Sequence, residues 1–78
     1  MLFRSRLMDV VLALVHGYGL RGAQAVHAAR CLRSAMHGFA SLQAAGGFGR
    51  PENLDTSYDY LTGMLTSGIA QIAADQAA

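Results

Sequence analysis

The chain has 78 residues, 53% of them hydrophobic and 14% charged, with a formal net charge of +1. That length allows one domain, and that composition is too apolar for a disordered chain. Six basic against five acidic residues leave no electrostatic footprint for nucleic acid or an anionic membrane, and a single cysteine, Cys31, excludes an internal disulfide and gives no sign of an oxidising compartment.

In chain order, residues 2–16 read as a first helix. Phe3, Leu7, Val10, Val11, Leu14 and Val15 recur at helical spacing, with Ser5, Arg6, Asp9 and His16 opposite. Arg4, Arg6 and the apolar run that follows loosely imitate a signal peptide, but Asp9 and His16 interrupt it. No apolar run approaches the ~20 residues that a membrane span needs. Gly17-Tyr18-Gly19 ends this helix, because glycine enters the left-handed conformation that closes one.

A second, long helix is predicted over 22–45, with Ala25, Ala29, Leu32, Met36, Phe39 and Leu42 on its apolar face. Three glycines and a proline within Gly46-Gly47-Phe48-Gly49-Arg50-Pro51 then make a loop. The third helix spans about 55–73. Asp55, Thr56 and Ser57 are competent N-caps, and Tyr58, Leu61, Leu65, Ile69 and Ile72 form its stripe. The alanine-rich end, Ala73 to Ala78, is expected to fray. The expected fold is therefore all-α, a three-helix antiparallel array in a single domain.

The faces opposite these stripes carry small residues where a solvated helix bears Lys, Arg or Glu. The second helix has Cys31, Ser34, Gly38, Ser41 and Ala45 there, and the third has Gly63, Ser67, Ala70 and Ala74. No charged residue occurs between Arg33 and Arg50, or between Asp59 and Asp75. Glycine inside a helix costs about 1 kcal/mol relative to alanine, so Gly38, Gly63 and Gly68 imply a close approach by another helix. Two such helices from each of two chains would form an intermolecular four-helix bundle in a homodimer. The dimer interface is assigned to Ser34, His37, Gly38, Ser41, Ala45, Gly63, Ser67 and Ala70. The competing reading is a weakly selected, alanine-rich surface.

The stretch His27-Ala28-Ala29-Arg30-Cys31-Leu32-Arg33-Ser34-Ala35-Met36-His37-Gly38-Phe39, continuing to Gly46-Gly47-Phe48, resembles the C-terminal ligand-binding and dimerisation domain of TetR/AcrR-family transcriptional regulators, the type named for a Trp-His-Gly signature. Gly17-Tyr18-Gly19-Leu20 and Asp55-Thr56-Ser57-Tyr58 resemble its flanking elements, so the likeness extends over about 7–72. It implies a cytoplasmic regulator in which these helices build an effector pocket and the dimer interface. Two positions depart from the pattern: Arg33 stands where Trp is usual, and Gln43 where Glu is usual. Nothing here resembles the family's helix-turn-helix half. The expectation is a truncated portion that makes no operator contact by itself, since a recognition helix needs base-reading and phosphate-binding side chains.

Met and aromatic side chains suit adaptable apolar sites. Met8, Leu12, Met36, Phe39, Tyr58, Tyr60 and Met64 are such residues, although at helical spacing they are more often simply core. Met8, Leu12, Met36, Phe39 and Tyr58, with Gln43, are assigned to a pocket for a small apolar effector. His37 either bonds across the bundle or is satisfied by a backbone carbonyl. His16, His27 and His37 lack paired-ligand spacing, so no metal is expected. Cys31 reads as a packing residue. The loop glycines lack the strand and the Lys-Ser/Thr of a phosphate loop. Asp55 and Asp59 sit where a helix start favours negative charge. No nucleophile–base pair is present, so neither catalysis nor a cofactor is expected. The rival functional class is a short amphipathic helical protein acting at a membrane or as a secreted peptide. Its polar face, with one acid and few bases, suits anionic lipid poorly.

Overall fold

The computed structural model describes the backbone from residue 2 to residue 77 and the side chains from residue 8 to residue 76. It contains three helices, α1 (Leu2–Gly17), α2 (Gly22–Ala44) and α3 (Leu54–Ala77), and no strand among the described residues. The all-α, three-helix expectation holds. Phe3, Ser5, Arg6 and Leu7, assigned above to the faces of α1, lie outside the described side chains. Ala78 lies outside the described residues altogether. Up to Ala77 the alanine-rich end continues α3 as helix, which accords with the high helix propensity of alanine.

The helix ends follow from local chemistry. After α1, Gly19 takes φ 99° and its N–H donates to the His16 carbonyl at 2.9 Å. The Arg21 guanidinium crosses back and donates to the carbonyls of His16 and Leu20, at 2.9 and 2.8 Å. The bonds to His16 occupy a carbonyl that the end of α1 leaves without a helical partner. At the end of α2, Gly46 takes φ 68°. Its N–H donates to Gln43, and that of Gly47 donates to Leu42, the paired bonds of a Schellman closure. The start of α3 differs from expectation. Asn53, not Asp55, Thr56 or Ser57, is the cap, its Oδ1 accepting the Thr56 N–H at 3.0 Å. Asp55 sits in the first turn instead, where the helix dipole favours its charge.

The core is small. Val11, Val15, Leu20, Ala25, Ala28, Ala29, Leu32 and Ile69 are buried, and Met8, Leu12, Leu65 and Ala73 pack against them. No polar or charged side chain is buried among the described residues. Most of this core joins α1 to α2 through the turn residue Leu20. From α3, a helix of 24 residues, only Ile69 is buried among the described residues. A second point of attachment lies at the other end of α3. Phe39 stacks at 4.9 Å from Phe48 and meets the edge of Tyr58 at 5.3 Å. This aromatic trio ties the loop and the start of α3 to α2.

Several residues expected on core faces point outward. Val10 is 66% exposed and Leu14 47%, and Met36, Leu42 and Ile72 are exposed as well. The body is flat, 42 × 32 × 14 Å, with a radius of gyration of 14.1 Å. A compact 78-residue domain would have about 11.5 Å. Three helices spread so thinly cannot cover one another on every side, and this geometry leaves the outer members of each stripe in solvent.

Candidate functional site

The predicted interface residues lie on the outer surface of α2 and α3. Ser34, His37, Ser41, Ala45, Gly63, Ser67 and Ala70 are exposed, and Gly38 is half-buried. Along α2, Cys31, Ser34, Gly38 and Ser41 fall on one helical stripe of small residues. A Cβ placed on Gly38, Gly63 or Gly68 would meet nothing within 4 Å. Packing inside this chain therefore requires glycine at none of the three.

Beside this stripe runs an apolar groove of about 320 Å³ between α2 and α3. Its α2 wall is Gln24, His27, Ala28, Cys31 and Leu32, and its α3 wall includes Met64, Leu65, Gly68, Ile69 and Ile72. On the outer side of α3, Tyr60 and Met64 stand one turn apart, 70% and 66% exposed, over a shallow depression shared with Thr56, Asp59, Gly63 and Ser67. Tyr60 and Met64, named above among the adaptable apolar residues, are assigned there neither to the interface nor to the pocket. The signal of this ridge was available: apolar residues at i and i+4 opposite the Tyr58–Leu61–Leu65 stripe mark a helix that is apolar on two faces.

The six residues assigned to an effector pocket lie on all three helices. Met8 and Leu12 pack on the core. Met36 lines a cleft of about 240 Å³ with Val11, Arg33 and His37. Phe39 and Tyr58 meet in the aromatic trio, and Gln43 is exposed. The structure thus unites Phe39 with Tyr58, and Met36, Phe39 and Gln43 recur at i, i+3 and i+7 along α2. Cys31 carries a free, exposed thiol. Among the described residues no group of three or more His, Cys, Asp or Glu is placed to hold a metal ion. The ion pair present among them, Arg50–Glu52 at 3.7 Å, is local to the loop. No helix among them is long and apolar enough to cross a membrane.

The accessible surface gives a magnitude. It is 5739 Å² for a chain of 8.2 kDa, whereas a folded monomer of that mass exposes about 4,500 Å². The excess is about 1,200 Å² per chain on the same scaling, and the outward apolar side chains contribute to it.

No curated protein and no solved structure matches the chain. A family model described as "Tetracyclin repressor-like, C-terminal domain" matches residues 3–65. The matched span holds nearly all of α1, the glycine-rich turn, α2, the loop and the first half of α3. The chain belongs to the tetracyclin repressor-like C-terminal domain family, a family of transcriptional regulators and not of enzymes.

Proposed function

We propose that this chain is the effector-binding and dimerisation portion of a TetR-type regulator, and that α2 and α3 of two copies form an intermolecular four-helix bundle. The observation that carries this reading is the excess accessible surface. Covering about 1,200 Å² on each of two chains buries about 2,400 Å² in all, within the size range of obligate homodimer interfaces. The open space beside Gly38, Gly63 and Gly68 supports it independently. Each of these costs about 1 kcal/mol of helix stability, and only a neighbour from outside the chain gains from their small size. The attachment of α3 points the same way, since a helix anchored so lightly is marginal in water.

An obligate dimer is stabilised by mass action. Its urea midpoint therefore rises with protein concentration, and a midpoint independent of concentration over two decades would remove the reading. The proposed effector is small and apolar, bound in the assembled dimer by residues that include Met8, Leu12, Met36, Phe39, Gln43 and Tyr58. Bound there, it would act by shifting the populations of the regulator's conformations. A thermal-shift screen with small apolar compounds tests this, and a panel without a single stabilising compound counts against it. The segment by itself does not bind operator DNA, because its surface carries too few basic and base-reading groups. Retardation of a duplex by the purified chain at physiological salt would contradict that.

A further inference from the structure

The proposed dimer has two layouts, and the placement of large and small side chains on α2 and α3 distinguishes them. If two copies stack through the groove-bearing side, the two-fold axis lies either across the helices or along them. An axis across the helices sets α2 on α2 and α3 on α3. An axis along them sets α3 of each copy on α2 of the other. We infer that the axis runs along the helices, and that the Tyr60–Met64 ridge of each copy seats in the Ser34–Gly38–Ser41 trough of its partner. This rests on the dimer reading and specifies its geometry.

Shape is the first argument. The exposed ridge on α3 and the small-residue stripe on α2 both border the same groove, through Met64 and Cys31. Ridge on ridge would hold the copies apart along α3, just where small residues on α2 invite close approach. Ridge in trough satisfies both, as in ordinary helix packing.

Level is the second. Phe39 and Tyr58 are in edge-to-face contact, so they mark one height on the antiparallel α2 and α3. At a rise of about 1.5 Å per residue, Tyr60 comes within about 1.5 Å of the height of Gly38, and Met64 within about 1.5 Å of that of Ser34. A two-fold axis along the helices preserves height. Each large side chain of one copy therefore arrives over a small residue of the other.

Charge is the third. Helix α2 holds Arg30 and Arg33 and no acid, whereas α3 holds Asp55, Asp59 and Asp75 and no base. Pairing α2 with α2, and α3 with α3, brings like charges together. Pairing α2 with α3 sets helices of opposite net charge side by side, a long-range preference only, since Arg33 itself lines the cleft with Val11 of α1.

The test uses two variants of the whole chain in a Cys31→Ser background, Ser34→Cys and Met64→Cys. Positions 31, 34 and 64 are all exposed, so none of the changes disturbs the core. Circular dichroism of each variant checks this, and a short thiol cross-linker repeats the measurement without the demands of disulfide geometry. Each variant is oxidised alone, and the two are oxidised after unfolding and refolding together. The layout predicts a mixed disulfide at least about tenfold more abundant than either homodisulfide, because a disulfide forms only where Cα atoms approach to within about 7 Å. Efficient self-cross-linking of Ser34→Cys overturns the layout and leaves the dimer standing. A dimer without any cross-link also overturns it. A monomeric wild-type chain removes the dimer reading and this inference together.

Discussion

Gly38 is the position where folding of the single chain and assembly of the dimer make opposite demands. It lies in the middle of α2, and an added Cβ meets nothing within 4 Å. For the isolated chain, alanine there gains about 1 kcal/mol through helix propensity, and leucine gains nearly as much. For the proposed dimer, the same position lies under a partner helix. A leucine side chain forced into a packed contact costs about 1–3 kcal/mol. The two-fold axis repeats that cost, to about 2–6 kcal/mol per dimer on the same basis. Converted, this weakens association by about 30-fold or more. Gly38→Leu should therefore retain or increase its helical content in far-ultraviolet circular dichroism while losing dimer mass in sedimentation velocity. A Gly38→Leu chain that is both more stable and as fully associated as wild type would refute the reasoning. It would show that the glycine lies on an uncovered surface.

Three further predictions concern the fold itself. Leu20 is fully buried at the turn between α1 and α2, so Leu20→Ala should lower unfolding free energy by about 2–5 kcal/mol in urea titration. A loss below 1 kcal/mol would mean that the turn is not part of the core. Asn53→Ala removes the side-chain acceptor for the Thr56 N–H, and should cost about 0.5–2 kcal/mol, with amide exchange faster at the start of α3 than elsewhere. Gly46 holds φ 68°, so Gly46→Ala should destabilise the chain by about 1–2 kcal/mol. Gly38→Ala, on regular helix, should not show that backbone penalty.

The three helices were legible because their periodicity and punctuation agree. Gly17 and Gly19 end α1, and the Gly46–Gly47 pair closes α2 as their sequence positions suggest. The cap of α3 was not, because Asn53, Asp55, Thr56 and Ser57 are all chemically able to cap and only the backbone path selects among them. Burial was read less well than helicity. Val10, Leu14, Leu42 and Ile72 have the right spacing for a core, yet a flat body with two joints cannot bury every apolar residue that shares a stripe. The small-residue faces were visible as the absence of charge. The Tyr60–Met64 ridge beside them was legible as an i, i+4 apolar pair outside the Tyr58–Leu61–Leu65 stripe, and the burial of Ile69 leaves it on the outer side of α3. Met36, Phe39 and Gln43 share a stripe of α2, while Met8 lies on α1 and Tyr58 on α3. Helical spacing places residues on faces, and convergence on a cavity depends on crossing angles that spacing does not encode.

The central claim is that a second copy of this chain covers α2 and α3. The most direct test is the molar mass of the purified chain in solution by light scattering or sedimentation equilibrium. The account predicts twice the chain mass of 8.2 kDa down to low micromolar concentration. A folded species that stays at the single-chain mass at the highest soluble concentration would contradict it.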